Sequence, residues 1–229
     1  MLYISPPFGN YLSYKNSIQV KGTFTWERRK GIIRRSLKTI RPVEGGWRNS
    51  IGFRNPGICS VTFRPQTRYS ISIIEPYEWD YLLDEIPRRV DLEINLSCPN
   101  VPSVTIPASI LRSFLDKFPR LTLKTSPVIP QKELEEYAEL GVENFHMSNT
   151  IPSPEGGISG EQLKKINLPL IENAAKTLNG DVRLIAGGGI YSAQDVTDYR
   201  NAGANDFAIS TVWFSYPWNI PAIYKEAYR

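Results

Sequence analysis

The sequence predicts an α/β fold, namely a single-domain (β/α)8 barrel, or TIM barrel, of reduced size that spans residues 1–229. Three observations lead to this prediction. Short runs rich in Val, Ile, Leu and aromatic residues recur eight times, and from the third run on most gaps between them have the apolar spacing of a helix. The length of 229 residues suits one domain. Because parallel strands need long crossover connections, this alternation favours a parallel sheet, and eight strands favour a closed barrel.

The predicted elements follow one another in chain order. Strands are predicted at residues 2–5, 18–23, 69–74, 90–95, 121–124, 144–148, 182–186 and 206–210. Helices are predicted at residues 75–87, 107–118, 131–140, 159–178 and 192–202. Residues 24–68 show no good helix pattern, and Gly, Pro, Arg and aromatic residues dominate there. Since so long a connection is usually functional, we expect loops and a β-hairpin over the top of the barrel.

The composition excludes several classes of protein. Hydrophobic residues make up 41% and charged residues 22%, which is ordinary for a globular protein. No run approaches the roughly 20 apolar residues that cross a bilayer, and the first ten residues lack a signal-peptide pattern. Two cysteines do not make a disulfide framework. We therefore expect a cytoplasmic protein with no membrane partner, in which Cys59 serves packing.

Positive charge is concentrated in one short segment of a chain whose net charge is +4. The basic residues of this segment are Arg28, Arg29, Lys30, Arg34, Arg35, Lys38 and Arg41. Such a cluster could bind the phosphates of a nucleic acid or an anionic ligand. No zinc-finger, RRM or helix-turn-helix pattern accompanies it, so we favour a solvated loop face and expect no nucleic-acid partner.

The chemistry-bearing residues follow the predicted strands, where barrel active sites lie. Lysines, amides, hydroxyls and glycines gather in the segments 5–10, 21–23, 95–100, 124–125, 148–150, 187–189 and 210–211. Bland strand ends would not select these residue types so consistently. The sequence therefore predicts one ligand site on the upper rim of the barrel, with no metal. His146, the one histidine, falls before the end of its strand and is interpreted as structural.

Five motifs give the rim a more specific interpretation. They are RNSIGFRNPG (residues 48–57), NLSCPN (95–100), HMSNT (146–150), GGISG (156–160) and IAGGGIYSAQDV (185–196). A glycine-rich turn alone is a weak signal, but five motifs in one order over nearly the whole chain are specific. With them the sequence resembles the dihydroorotate dehydrogenase family, in its soluble, cysteine-containing class (class 1-like), in a shortened form.

The resemblance implies a flavoprotein oxidoreductase of pyrimidine biosynthesis, which oxidises the CH–CH bond of dihydroorotate to give orotate with FMN as cofactor. Cys98 would be the base that removes the C5 proton while hydride passes from C6 to N5 of FMN. A thiol, with a pKa of about 8.5, can supply a thiolate for this step. Lys124 would lie beside the pyrimidine edge of the flavin and stabilise its negative charge, and Lys21 would lie between flavin and substrate.

The resemblance also implies two overlapping sets of binding residues. The substrate set is Lys21, Asn49, Ile51, Gly52, Phe53, Asn95, Asn100, Asn149 and Thr150. The FMN set is Ser5, Lys21, Gly22, Asn95, Lys124, Ser148, Gly160, Gly188, Gly189, Ser210 and Thr211. Asparagine suits a pyrimidine rim because its amide both donates and accepts, and glycine lets backbone N–H groups approach phosphate. The family usually has glycine where this chain has Ser210.

Several alternatives stay open at this stage. The loop at residues 101–105, which in the family covers the substrate, is short, and this puts the exclusion of water in question. The chain could be a related FMN oxidoreductase acting on another pyrimidine or enone, or a non-catalytic FMN-binding barrel. The electron acceptor could be fumarate, a quinone or an NAD-linked partner subunit, and the family's soluble members suggest a homodimer.

Overall fold

Eight parallel strands close into a barrel in the computed structural model, which describes residues 1–101, 105–147, 150–178 and 182–229. The barrel strands are β1 (Leu2–Ile4), β2 (Ile18–Phe24), β5 (Thr67–Ile71), β6 (Asp91–Asn95), β7 (Thr122–Thr125), β8 (Asn144–Met147), β11 (Arg183–Gly187) and β12 (Asp206–Ile209). They run in the order β1-β12-β11-β8-β7-β6-β5-β2, and pairing of Tyr3 with Ile18 closes the ring. All eight predicted strands are present, so the predicted barrel is confirmed.

Helices occupy the connections from β5 onward and follow the last strand. The first five named below were predicted from the apolar spacing, and the last two were not. They are α2 (Glu78–Glu85), α3 (Ala108–Lys117), α4 (Gln131–Glu139), α5 (Gln162–Thr177), α6 (Ala193–Asn201), α7 (Val212–Ser215) and α8 (Ile220–Ala227). Their apolar faces are buried against the barrel: Trp79 of α2 contacts Phe114 of α3 edge to face, and both side chains are fully buried. This packing fixes the outer layer and leaves the carboxyl ends of the strands free for a site.

The connection between β2 and β5 departs from the prediction in one respect. Residues 32–39, expected to be loop, form helix α1 (Ile32–Thr39), followed by the expected hairpin of β3 (Arg41–Val43) and β4 (Gly46–Asn49). The helix is hard to predict because it has only eight residues, begins at Gly31 without a side-chain cap and buries none of its residues. Because the helix does not pack in the core, its sequence has no periodic apolar pattern long enough to detect.

A second hairpin was not predicted. Strands β9 (Ile151–Ser153) and β10 (Gly156–Gly160) follow β8, and β10 pairs with β4 to give an antiparallel sheet in the order β3-β4-β10-β9. The helix predicted from residue 159 consequently begins at Gln162. Because β3 and β4 follow β2 while β9 and β10 follow β8, this small sheet lies at the carboxyl end of the barrel.

Three further expectations concern membrane spans, metal sites and the packing of Cys59. No helix among them is long and apolar enough to cross a membrane. The same residues contain no group of three or more His, Cys, Asp or Glu side chains placed to hold a metal ion. Cys59 was expected to pack in the interior, and this was wrong: it is exposed in the 3-10 turn Ile58–Ser60, where Ile58 supplies the buried contact.

Candidate active site at the carboxyl end of the barrel

One large cavity, about 1060 Å³ in volume, opens at the carboxyl end of the barrel. Side chains from successive strands line it, including Lys21 of β2, Asn95 of β6 and Lys124 of β7. The volume is at the upper end of the range for small-molecule and cofactor sites. The cavity is therefore large enough for a cofactor and a small substrate together.

The residues predicted for the site converge on this cavity. Among those described, the cavity is lined by Ser5, Lys21, Gly22, Asn49, Ile51, Gly52, Phe53, Asn95, Cys98, Asn100, Lys124, Thr150, Gly188, Gly189, Ser210 and Thr211. Ser148 and Asn149 lie outside the described residues, as does most of the short loop after Asn100. The structure thus brings together residues that are up to 206 positions apart in the chain (5 to 211).

Gly160 is placed apart from the cavity lining. It ends β10, opposite Gly46 of β4, and a Cβ built on it would lie 2.1 Å from the carbonyl oxygen of Gly45. Its φ of 149° also disfavours any side chain. Close backbone packing in the small sheet accounts for this glycine, while the neighbouring Ser159 lines the cavity. A role for Gly160 in binding a cofactor stays a prediction.

The end of β2 is held at the cavity by a side-chain amide. Asn10 accepts a hydrogen bond from the backbone N–H of Gly22 at 2.8 Å and donates to the carbonyl of Gly22 at 3.1 Å. Gly22 has a φ of 123°, and a Cβ there would lie 2.3 Å from the carbonyl oxygen of Ser70. Glycine is therefore required, and Asn10 fixes the backbone beside Lys21.

Asn95 at the end of β6 is oriented across the mouth of the barrel. Its Nδ2 donates to Oγ1 of Thr23 at 3.0 Å, and Thr23 is in turn 3.2 Å from the hydroxyl of Ser70. The side chain is buried, with 5% of its surface exposed. Because these bonds fix the rotamer, the amide is presented to the cavity in one orientation.

Asn49 and Asn100 contact each other and connect three segments of the rim. Nδ2 of Asn100 donates to Oδ1 of Asn49 at 3.3 Å, and Oδ1 of Asn100 accepts from the backbone N–H of Gly157 at 3.1 Å. Asn49 ends β4, Gly157 lies in β10, and Asn100 follows β6. The small sheet and the loop after β6 are thus joined at the place where the two amides line the cavity.

Cys98 lies in the turn after β6, where the N–H of Val101 donates to its carbonyl at 3.3 Å. The side chain is half-buried and lines the cavity. Burial raises the pKa of the Cys98 thiol above its ordinary value, and the backbone N–H of Asn100 and the charge of Lys124 offset only part of that rise. The group is therefore a neutral thiol at pH 7 in the absence of a ligand.

Charged side chains fill the barrel interior, where Lys124 and His146 also line the cavity. Lys124 is 8% exposed, and Glu93 and His146 on the flanking strands are fully buried, with Nδ1 of His146 2.8 Å from Oε2 of Glu93. Arg68 of β5 forms an ion pair with Asp91 at 3.0 Å. The buried cations are thus matched by buried carboxylates, which is what a low-dielectric interior requires.

The opposite wall of the cavity is formed by the turn after β11. Gly188 and Gly189 both have positive φ, at 79° and 73°. A Cβ on Gly189 would lie 2.6 Å from the backbone nitrogen of Lys164, so only glycine fits without a shift. Tyr199 donates to the carbonyl of Gly188 at 2.8 Å, which fixes the turn. Backbone N–H groups are therefore held at a wall that no side chain of these two residues covers.

Two hydroxyls near this wall differ in their bonding. The Oγ of Ser210 donates to the carbonyl of Pro6 at 3.1 Å, so it is already engaged. The Oγ of Ser5 is buried at the cavity and has no hydrogen-bond partner among the described residues. Burying a hydroxyl without a hydrogen-bond partner costs free energy. A ligand atom in the cavity that forms a hydrogen bond with this hydroxyl would offset that cost.

Some lining residues were missed from the sequence. They are Asn10, Trp47, Arg54, His146, Leu163 and Phe214, with residues of α1. Asn10 stands in the first strand-end segment but has no place in the motifs. Trp47 and Phe214 meet across the mouth with their ring centroids 4.4 Å apart. They are 167 positions apart in the sequence, so no local pattern predicts the contact. The extent of the rim therefore depends on long-range folding.

A closed parallel barrel whose carboxyl end holds a cofactor-sized cavity, lined by lysine, thiol and amide side chains, defines the class of (β/α)8-barrel enzymes. Comparison with known proteins is more specific. The sequence profile of the dihydroorotate dehydrogenases matches residues 139–228. The catalytic subunit of dihydroorotate dehydrogenase B (NAD(+)) of Staphylococcus carnosus is 27% identical over 252 aligned positions, which cover 94% of this chain and 80% of that protein.

Two further comparisons agree. The corresponding catalytic subunit of Halalkalibacterium halodurans is 27% identical over 94% of this chain and 81% of its own length. The crystal structure of ligand-free dihydroorotate dehydrogenase from Eimeria tenella superposes with a TM-score of 0.78 at 18% identity, covering 99% of this chain and 83% of that one, and it supports the fold. The chain is thus similar to the dihydroorotate dehydrogenases, and the resemblance predicted from its motifs is confirmed.

Proposed function

We propose that the protein oxidises dihydroorotate to orotate, with FMN as its cofactor and Cys98 as the catalytic base, in de novo pyrimidine biosynthesis. The observation that carries the proposal is the convergence of Cys98, Lys21 and Lys124 with the paired amides of Asn49 and Asn100 on one cavity. A thiol, two ammonium groups and a rim of amides are the groups that proton removal, charge stabilisation and pyrimidine recognition need.

The residues present fit FMN. The cavity of about 1060 Å³ has room for it, and the buried Oγ of Ser5 is a polar atom for which the described chain offers no partner. The Gly188–Gly189 turn lets backbone N–H groups approach an anion, which suits a phosphate group. Ser5, Gly188, Gly189 and Thr211 would hold the phosphate, with Lys124, Asn95 and Gly22 around the ring.

Each catalytic residue would have a separate task. When bound, FMN accepts a hydride from the substrate. The Cys98 thiolate would take the proton from the neighbouring carbon, so that a C–H bond breaks on each of two adjacent carbons and a C=C bond forms between them. Lys124, fixed by its burial, would stabilise negative charge near the flavin, and Lys21 would face both ligands. Ile51, Gly52 and Phe53, with Asn149 and Thr150, would complete the substrate site.

The experiment is an anaerobic half-reaction. The purified protein is loaded with FMN, freed of excess cofactor, and mixed with dihydroorotate while the visible absorbance of oxidised flavin is followed. We expect bleaching with dihydroorotate and none with dihydrouracil, which lacks the carboxylate. A protein that retains FMN but bleaches with neither compound, or with dihydrouracil alone, would refute the proposed substrate.

The electron acceptor is proposed from the relatives. The Staphylococcus and Halalkalibacterium proteins are named as catalytic subunits of an NAD(+)-linked enzyme. We therefore propose that this chain also passes its electrons to an NAD-linked partner subunit, in the cytoplasm, and forms a homodimer. A barrel purified alone should then reduce NAD(+) only when a second subunit is added, whereas direct turnover with fumarate would contradict the assignment.

A further inference from the structure

A buried imidazole in the lining of the cavity has no part in the reaction as described so far. His146 of β8 is 2% exposed and is the one histidine of the chain, and its side chain lines the cavity. Its Cα lies in register with that of Lys124 on the neighbouring strand β7. Adjacent strands of a sheet are about 4.8 Å apart. The imidazole is therefore a close neighbour of Lys124, the residue that would stabilise negative charge near the flavin.

Glu93 determines which nitrogen of His146 carries the hydrogen. Its Oε2 lies 2.8 Å from Nδ1 of His146, in a fully buried pair. Burial would raise the pKa of Glu93, but His146, with Lys124 and Arg68, lowers it to about 2, so the carboxylate can only accept a hydrogen bond. Nδ1 must then donate, which leaves Nε2 of the neutral ring without a hydrogen. Nε2 forms no hydrogen bond with any residue that the structure describes, so it can accept a proton.

The charges that face His146 keep it neutral in the FMN-free chain. Burial lowers its pKa, and Lys124 of β7 and Arg68 of β5 lower it further, against the opposite effect of Glu93 of β6. On β11, the other neighbouring strand, the position in register with His146 is uncharged. Lys21 of β2 lines the same cavity and adds positive charge to it. A negative charge placed in the cavity would offset these cations and favour protonation of the imidazole.

We propose that His146 takes up one proton when the bound flavin is reduced, and so forms an imidazolium between Glu93 and the negative charge of the reduced cofactor. The proposal rests on the proposed binding of FMN beside Lys124. An opposite charge within about 4–6 Å moves a pKa by about 1–3 toward the charged form. Two cations, Lys124 and His146, would then face two anions, Glu93 and the reduced flavin. This role goes beyond the structural one expected for His146 from the sequence.

The proton on His146 adds no electron acceptor to the reaction. As proposed above, dihydroorotate gives a hydride to the flavin and a proton to Cys98, and no further electrons move. The proton on His146 comes from solvent through the cavity and returns to solvent when the flavin is reoxidised. A reductant that supplies only electrons should therefore cause uptake of about two protons per two electrons, one on the flavin and one on His146, at pH values between the two pKa values of His146.

Nitrogen NMR of the single histidine tests the proposal directly. Because the chain has one histidine, protein grown with nitrogen-15-labelled histidine contains one labelled imidazole, whose two nitrogen shifts report its tautomer and its protonation. The FMN-loaded chain is titrated from about pH 5 to about pH 8, first oxidised and then anaerobically reduced with dithionite. We expect the neutral ring to carry its hydrogen on Nδ1, and the midpoint of the titration to be higher by at least about 1 pH unit after reduction. An unchanged midpoint, or a neutral ring with its hydrogen on Nε2, would overturn the proposal.

A substitution counts the same proton by a second route. His146→Gln keeps a donor for Glu93 but cannot be protonated. The midpoint potential of bound FMN, measured against a reference dye, should fall about twice as steeply with pH in the native chain as in this variant, within the pH range that the NMR titration defines. The matched control, Glu172→Gln, removes an exposed carboxyl group and should keep the native slope. Equal slopes in the native chain and His146→Gln would contradict the role of His146.

The two measurements separate this proposal from the proposed function. Dithionite replaces dihydroorotate in both, so a chain that binds FMN but is not reduced by dihydroorotate loses its proposed substrate and not the proton on His146. A chain that reacts with dihydroorotate but shows no change at His146 loses only the present proposal. A chain that binds no FMN refutes the proposed cofactor and this role of His146 together.

Discussion

Nδ1 of His146 lies 2.8 Å from Oε2 of Glu93, on strands that flank the one carrying Lys124. Burial alone would raise the pKa of Glu93, but the imidazole and its hydrogen bond, with Lys124 and Arg68, lower it to about 2. Burial lowers the pKa of His146, and Lys124 adds to this, against the opposite effect of Glu93. At neutral pH the carboxylate is therefore ionised and the imidazole neutral.

The pair predicts how stability depends on pH. For both groups the pKa in the folded chain lies below the pKa in the unfolded chain. As pH falls, the unfolded chain therefore binds more protons than the folded chain does. The free energy of unfolding should therefore decrease below the ordinary histidine range, and decrease further between the ordinary pKa of glutamate, 4.5, and about 2. Glu93→Gln should remove the second part of this decrease, although it also lowers stability at pH 7 because the buried cations lose a counter-charge.

Urea unfolding at a series of pH values measures this effect. Glu172→Gln is the control, because Glu172 forms an exposed pair with Lys176 that contributes little to stability. Its curve should run parallel to that of the native chain. If the curve of Glu93→Gln also runs parallel to the native one from pH 4.5 downward, the buried pair does not carry the acid sensitivity.

Ser210 provides a second prediction, about the cofactor. Its hydroxyl is engaged with the carbonyl of Pro6 at 3.1 Å, and its side chain lines the cavity where the phosphate is proposed. Ser210→Gly should open the backbone to closer approach and tighten FMN binding several-fold. It should also destabilise the FMN-free protein by roughly 1–2 kcal/mol, through the lost hydrogen bond and the added chain entropy.

Fluorescence titration with FMN and thermal unfolding of the FMN-free protein check the two effects separately. Ser215→Gly is the control variant. It also replaces a serine by glycine, but the hydrogen bond that it removes is the one from the Trp47 indole N–H. Weaker FMN binding in Ser210→Gly would instead show that the hydroxyl itself is a ligand contact.

The eight strands could be predicted because they are short, buried and rich in β-branched and aromatic residues, so each has a recognisable local sequence pattern. Helix α1 could not, because it has no buried face, and β10 could not, because the segment GGISG has the composition of a loop. What makes β10 a strand is its pairing with β4, where Gly157 lies opposite Asn49, 108 positions earlier. Pairing at that distance is a property of the folded chain.

The site divides in the same way. Residues in strand-end motifs, such as Cys98 and Asn100, were predicted and line the cavity. The contacts that orient them were not. Asn10 holds Gly22, and Thr23 holds Asn95, through bonds between strands that carry no local pattern. The pairing of Glu93 with His146 could not be predicted either. Their strands, β6 and β8, lie on either side of β7, and the register of these parallel strands places the two side chains next to each other.

Lys124 is expected to matter more for chemistry than for cofactor binding. Its charge is needed mainly when negative charge develops on the flavin, whereas binding draws on the whole phosphate wall. Lys124→Ala should therefore lower the rate of flavin reduction by dihydroorotate by about 10²–10³-fold, the loss typical of one preorganised group, and change the FMN dissociation constant far less.

Titration with FMN and stopped-flow reduction measure the two quantities on one preparation. Lys124→Met, which better fills the buried space, distinguishes the lost charge from a packing defect, and the exposed Lys132→Ala is the control. Loss of FMN binding with little change in residual turnover would reverse the assignment of Lys124.

Cys98 gives the last prediction, on the identity of the base. Cys98→Ala should still bind FMN and orotate, whose other contacts come from different strands, but flavin reduction should fall by about 10²–10⁴-fold, the loss typical of a positioned base. Cys98→Ser should retain some activity and require higher pH, because a hydroxyl ionises less readily than a thiol. Cys59→Ala is the matched control, since Cys59 is exposed and outside the cavity lining.

The pH profile of the native chain distinguishes a base from a structural thiol. Burial raises the pKa of Cys98, so the rate of flavin reduction should still be increasing with pH at the ordinary thiol pKa. Lys124 lowers that pKa, and Lys124→Met should therefore shift the rising limb to higher pH as well as lowering it. Stopped-flow bleaching of the native chain, the two Cys98 variants, Cys59→Ala and Lys124→Met across pH measures these profiles. If Cys98→Ala, with FMN fully bound, bleaches at the native rate and with the native profile, the proton is taken by another group, and Cys98 serves the packing of the turn after β6.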